Sequence, residues 1–372
     1  MPTRISVEKT YAKPKISTNK LMSNRKLNRR QAWRAERIQQ ERNERALKKE
    51  RNLTRQVQSG DLSSEQQGLV ICRYSKHFEI EALEGEDQGS IHICVSRTNL
   101  GNIVAGDHVI WRAGADQTGV IESKLNRKSL LERPDNFGRL KAVAANIDQM
   151  IIVISPEPSP QPNLIDRYLV AAELMHIRPV LVLNKADLLD EYNEELISEL
   201  LNVYHSLGYQ TSLVISSRHQ EPHLNNLPSL INGRTSIVVG QSGVGKSSLI
   251  NTLLPEAKLA VGDLSSATGE GTHTTTQAKL FHLPTGGQLI DSPGIRDFSL
   301  WHIDVEQLQL GFIEIAQQLG HCKFRDCKHE QEPGCAIQAA VDDGAIDEVR
   351  FDSYERIKAA ILEQQARGLT SP

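Results

Sequence analysis

The segment Gly240–Ser248, GQSGVGKSS, constrains this chain more than any other, because it stands between an apolar run, Ser236–Gly240, and a helix-forming run, SLINTLL. Glycines spaced this way let successive backbone N–H groups turn inward around a phosphate, so Gly240, Gln241, Ser242, Gly243, Val244, Gly245, Lys246, Ser247 and Ser248 form one candidate nucleotide-binding loop. Lys246 would reach the outer phosphate oxygens and Ser247 would ligate Mg²⁺, while the N-terminus of the following helix adds positive potential at the same place. A strand, a glycine loop and a helix in that order belong to a parallel α/β sheet. The apolar runs at 150–154, 179–183, 212–216 and 236–240 alternate with helical patterns at 163–176, 191–207 and 246–254. Strands apolar on both faces and spaced by helices predict a doubly wound α/β domain.

Base identity is expected at the end of the run PVLVL, in Asn184, Lys185, Ala186 and Asp187. A carboxylate there accepts from N1–H and the exocyclic amine of guanine, neither of which adenine presents. A base that leaves a buried carboxylate unpaired is rejected by on the order of several kcal/mol. GTP is therefore expected over ATP, which argues against an ATP-dependent kinase. Ser216 and Ser217, closing the next strand, would touch the base edge. The segment QLIDSPG places Asp291 at a strand end and lets Gly294 donate its N–H to the γ-phosphate, but the next residue is Ile295 where a GTPase commonly has a water-orienting glutamine. An aliphatic side chain cannot hold water, so hydrolysis needs another group. His273, in the glycine-hinged segment Gly269–Thr276, is the candidate catalytic residue, with a solvent-exposed loop histidine as the alternative, and one of the neighbouring threonines would complete the Mg²⁺ shell. These parts run in the order 184, 240, 291, with base recognition ahead of the phosphate loop. That order is a circular permutation.

Charge is segregated along the chain. Residues 1–55 carry 17 Lys and Arg against 5 Glu, whereas the remainder carries 26 against 41 acids, and the whole nets −3. A cationic arm of that kind suits nucleic-acid contact through counterion release, and its helix-prone run at 30–52, whose large apolar residues are only Trp33, Ile38 and Leu47, has no hydrophobic face for a membrane surface. Residues 56–67 read as a linker. From 68 to 130, five short β-like runs without an intervening helix suit a closed barrel, either an oligonucleotide-binding (OB) fold or an SH3-like barrel. Residues 131–146 read as the connection into an α/β domain spanning 131–303. In 304–372, Cys322, Cys327, His329 and Cys335 supply three thiolates and an imidazole within fourteen residues, a donor set that suits one structural, tetrahedral Zn²⁺ in a helical unit. No run approaches the ~18 apolar residues of a membrane span, and the first residues lack the apolar core of a secretory signal. A cytoplasmic protein is expected.

Together, NKAD, GQSGVGKSS, GTHTTT and DSPG in permuted order, after a five-strand barrel and before Cys-x4-Cys-x-His-x5-Cys, resemble the RsgA (YjeQ) family of small ribosomal subunit biogenesis GTPases over roughly residues 68–365. The resemblance implies a multidomain chain: an OB-type β-barrel, a circularly permuted phosphate-loop GTPase domain and a C-terminal zinc-binding helical domain. It further implies a monomer that binds the 30S subunit and its 16S rRNA late in maturation, hydrolysing GTP to GDP with stimulation by the subunit. The family's guanine-binding residues fall on Asn184, Lys185 and Asp187, its zinc ligands on Cys322, Cys327, His329 and Cys335, and its loop histidine on His273. An RNA-binding assembly chaperone, with nucleotide mainly structural, is the alternative reading.

Overall fold

The computed structural model describes residues 62–75, 77–97, 100–134, 139–216, 222–255, 278–291, 303–330 and 332–366. The basic arm, Ser217, the segment Gly269–Thr276 with His273, and Gly294 with Ile295 lie outside them.

The five β-like runs form β1 (Gln66–Arg73), β2 (Phe78–Ala82), β3 (Ile91–Ser96), β4 (His108–Ala113) and β5 (Thr118–Lys124). Their order is β1-β2-β3-β5-β4, closed by pairing of β4 with β1, and β3 runs parallel to β5. Closure through those pairs gives an OB-type barrel and removes the SH3-like alternative. Alternate residues point inward, so Val70, Ile80, Cys94, Val109 and Ile121 pack around the fully buried Trp111, whose Nε1 donates to the Gln67 carbonyl at 3.3 Å.

Residues 131–146 are more than a connection. They pair as an antiparallel hairpin of β6 (Leu130–Pro134) and β7 (Leu140–Ala145). The pattern is hard to see in sequence because a proline closes the first strand and the buried residues of the second are small alanines, Ala142, Ala144 and Ala145.

Beyond the hairpin come β8 (Gln149–Ile154), α1 (Pro162–Leu174), β9 (Arg178–Leu183), α2 (Glu194–Ser206), β10 (Gln210–Leu213), α3 (Leu227–Ile231), β11 (Thr235–Gly240), α4 (Lys246–Leu253), β12 (Lys279–His282) and β13 (Gln288–Asp291). The strand order β10-β9-β8-β11-β13-β12 is parallel except for β12. Every residue of β8 is buried, as its unbroken apolar run predicts. Ile152 and Ile154 meet α1 on one face, and Ile151 and Val153 meet α3 and α4 on the other. Each such side chain contributes about 1.5–3 kcal/mol of burial. β12 also touches β1 at Cys72↔Lys279, so barrel and α/β sheet are one continuous sheet of eleven strands.

The chain closes with α5 (Val305–Gly311), α6 (Ile313–Ala316), α7 (Ala336–Asp342) and α8 (Glu348–Ala366). Asp304 begins α5 with a reciprocal capping box to Gln307. These helices share the core of α1, and at its centre Arg350 is 1% exposed. Its Nε and one terminal nitrogen donate to Glu314 at 2.7 and 3.1 Å, its other terminal nitrogen pairs with Asp166, and its guanidinium lies 4.4 Å from the Phe312 ring centre. Asp166 also accepts from the Tyr204 hydroxyl at 2.9 Å. One cation thus bonds two buried acids, from α1 and α6, and burial pushes the Asp166 carboxyl up against that attraction. Among the described residues no helix is long and apolar enough to cross a membrane. Arg350→Ala, which strands both carboxylates, is expected to destabilise the fold by about 3–5 kcal/mol. Urea unfolding reads this, and a wild-type midpoint would contradict it.

Candidate functional site

Parallel register brings the carboxyl ends of β8, β9, β10, β11 and β13 to one edge of the sheet, with Ile154 beside Leu183, Leu183 beside Leu213, and Val153 beside Gly240. In open α/β sheets that edge is where ligands bind. Asn184 leaves β9 there and is fully buried. Its Nδ2 donates to the Val244 carbonyl at 2.9 Å, and its Oδ1 accepts from the Ser216 N–H at 3.2 Å and hydroxyl at 2.8 Å. One side chain thereby joins the NKAD segment, the phosphate loop and the Ser216 turn. Both ends of its amide engage protein, and the Val244 carbonyl takes one of its two N–H groups.

The expected strand over 212–216 is shorter, ending at Leu213. Val214 and Ser216 leave the ladder because the site uses them: the Val214 carbonyl accepts the Ala186 N–H at 3.2 Å, and Ser216 turns to Asn184.

The phosphate loop cannot accept side chains at two points. Gly240 has φ 141° and a Cβ there would lie 2.2 Å from the Val153 carbonyl oxygen; Gly245, at φ 90°, would place one 2.4 Å from the Asn184 amide nitrogen. Between them Val244 is buried as an anchor, while Ser242 and Gly243 face solvent. Lys246 begins α4 and its ammonium donates to the Gly240 and Gln241 carbonyls at 2.6 Å each, at the mouth of the loop. Ser247 and Ser248 follow half-buried in the first helical turn.

At the opposite end, Lys185 sits in the left-handed region at φ 57° and its Nζ donates to the Glu157 carbonyl at 2.7 Å. Asp187 lies in the short turn Ala186–Leu188, and its Oδ1 is buried with no hydrogen-bond partner among the described residues. A buried acceptor without a donor costs about 1–3 kcal/mol, so this oxygen can accept from a further donor. Asp291 ends β13, half-buried. Sequence reasoning missed the carbonyls of Glu157, Val214 and Val244; backbone groups carry no residue signature.

Separately, Cys322, Cys327, His329 and Cys335 bring one donor atom each within 4.8 Å of one another, an arrangement that can hold a metal ion. His329 Nδ1 lies 3.6 Å from the Cys322 sulfur and 3.5 Å from that of Cys335. Backbone N–H groups of Ala336 and Gln338 point at the Cys322 and Cys335 sulfurs at 3.4 and 3.5 Å, from the N-terminus of α7. Such donors favour thiolates. The Glu332 carboxylate accepts from the Lys328 and Glu330 N–H groups at 2.7 and 2.6 Å, tying down the loop.

A permuted sheet, a complete phosphate loop and an aspartate poised for a base define a circularly permuted phosphate-loop GTPase, flanked by a barrel and a Cys₃His unit. Residues 124–301 match the RsgA GTPase family. A small ribosomal subunit biogenesis GTPase RsgA from Marinobacter nauticus is 51% identical over 348 residues, 94% of this chain and 99% of that protein. One from Pseudomonas fluorescens Pf-5 is 53% identical over 340 residues, 91% of this chain and 98% of that protein. Among solved structures, YjeQ from Thermotoga maritima superposes with a TM-score of 0.66 at 30% identity, covering 80% of this chain and 99% of that one. YloQ, a circularly permuted GTPase, gives 0.64 at 29%, covering 81% and 96%. This chain belongs to the RsgA family of small ribosomal subunit biogenesis GTPases, and it is a GTP hydrolase.

Asn184→Ala would leave the Val244 carbonyl and two Ser216 donors unpaired and release the loop from the base end. Affinity for GTP and GDP alike is expected to fall by about ten- to a hundredfold, equivalent to roughly 1.4–2.8 kcal/mol. Calorimetric titration reads it; unchanged affinity would remove Asn184 from the architecture of the site.

Proposed function

We propose that the protein binds the 30S ribosomal subunit late in its maturation and hydrolyses GTP to GDP and phosphate there, with the subunit stimulating turnover. The observation that carries this reading is the buried Asp187 oxygen, without a partner among the described residues, at the same sheet edge as a phosphate loop that Asn184 ties to the NKAD segment. Asp187 accepts from guanine N1–H and the exocyclic amine, the Lys185 stem covers one face of the base, and Ser216 and Ser217 border its edge. Amides from Gly240 to Ser248 surround the phosphates. Lys246 exchanges the carbonyls of Gly240 and Gln241 for phosphate oxygens, so its charge moves from loop closure to ligand binding. Ser247 would hold Mg²⁺, whose chemistry is to neutralise charge on the outer phosphates, and Asp291 and Gly294 stand on the γ-phosphate side. Ile295 cannot orient water, so turnover without the subunit is slow and His273 positions the nucleophile once the subunit is bound.

Charge supports placing the arm on RNA, and the OB-type fold supports the barrel. The basic arm and the barrel face would contact 16S rRNA, with binding that weakens as salt rises. The protein acts as a cytoplasmic monomer. Cys322, Cys327, His329 and Cys335 would hold Zn²⁺, and a set of three thiolates and one imidazole would give that ion a structural part. Bond lengths of about 2.3 Å to sulfur and 2.0–2.1 Å to nitrogen give a tetrahedral S···N edge of about 3.5–3.6 Å, the separations that His329 makes with Cys322 and Cys335.

Purified protein is expected to hydrolyse GTP slowly alone and at least tenfold faster with 30S subunits, to bind GTP in preference to ATP, and to lose both binding and assembly function on Lys246→Ala. Turnover indifferent to subunits would overturn the coupling; assembly function intact in Lys246→Ala would favour the RNA chaperone with structural nucleotide. Metal analysis should find about one zinc per chain. Cys335→Ser should lower both zinc content and Tm, by roughly 2–4 °C for each kcal/mol of folding energy lost, and a full zinc complement in that variant would remove Cys335 from the ligand set.

A further inference from the structure

α2 is amphipathic in an unusual sense. Ile197 and Tyr204 face the core, yet Leu196, one residue from Ile197, is 67% exposed. Leu196 and Leu200 form one wall of a groove of about 560 Å³; Pro160, from the segment joining β8 to α1, and Val349, at the start of α8 and 43% exposed, form the others. The charged residues lining it, Glu199 and Asp347, are both acids. Glu194, Glu195 and Glu348 stand exposed on the same two helices, and α2 contains no lysine or arginine.

The chemistry of this groove selects among occupants. Its aliphatic walls offer no aromatic platform for base stacking, and its acids repel phosphate, so RNA is disfavoured. A basic polypeptide fits both features: large apolar side chains fill the floor, and lysine or arginine meets the carboxylate rim. Proteins bound to rRNA carry basic arms of this composition.

We propose that this groove docks a lysine- and arginine-rich segment of a small-subunit ribosomal protein, seated by a large apolar side chain; the inference rests on the subunit being the protein's partner. The location gives docking a route to the nucleotide. Pro156 and Pro160 bracket Glu157, whose carbonyl accepts from Lys185 Nζ and from the Ser155 hydroxyl, each at 2.7 Å. An occupant pressing on this wall bears on the segment that holds Lys185. The opposite wall precedes Arg350, which ties α8 to α1 and α6. The groove therefore spans the seam between the GTPase sheet and the helices that carry the Cys₃His cluster.

Two measurements on the full chain test this. A photo-cross-linking benzoylphenylalanine at position 196, irradiated with purified 30S subunits and a non-hydrolysable GTP analogue, is expected to join a basic peptide of one ribosomal protein, identified by mass spectrometry. Adducts to 16S rRNA alone, or none, would overturn the proposal. The double variant Leu196→Glu, Val349→Glu changes exposed positions and is expected to bind subunits at least tenfold more weakly in sedimentation, with GTP turnover in the absence of subunits unchanged. Undiminished binding by that variant, alongside wild-type binding, overturns the docking site only. Failure of the wild type itself to bind subunits overturns both this inference and the function on which it rests.

Discussion

The buried amide of Asn184 holds the nucleotide site together. It spans three segments separated by 32 and 60 residues, and each of its bonds lies away from water. A hydrogen bond made there is strengthened by low polarity, and one left unmade is costly for the same reason. The phosphate loop is therefore set at a fixed distance from Asp187 before any ligand arrives. Gly245 belongs to the same arrangement, since only its missing Cβ lets the amide approach.

Permutation changes what that site is connected to. β12 and β13 flank the sheet beside the phosphate-loop strand, and β12 reaches the barrel through Cys72↔Lys279, reinforced by Lys279 with Glu79 at 3.3 Å and His282 with Glu81 at 2.6 Å. On the far side of β13 the chain continues into the helices fastened by Arg350. Changes at the γ-phosphate end thus adjoin both flanking units by short paths.

Two kinds of buried charge do different work. Around Arg350 one cation bonds two acids within a dry core, which specifies how α1, α6 and α8 meet even though a hydrophobic substitute could be as stable. In the Cys₃His unit, four donor atoms converge within 4.8 Å of one another, close enough to hold a metal ion. The first interaction orients the unit; the second gives it a shape.

Much of this was legible from residue types and spacing. The phosphate loop, NKAD, the four metal donors and the apolar run 150–154 of β8 carry their signals locally, because backbone conformation at glycines, side-chain chemistry and two-sided burial are properties of short segments. Tertiary structure alone decided the rest: that the barrel closes β4 on β1 as an OB fold, that 131–146 pairs as a hairpin, that Asn184 is spent on protein, and that Leu196 lines an acid-walled groove. Each of these depends on which distant segments meet, and contact across space leaves no periodicity in the sequence that makes it.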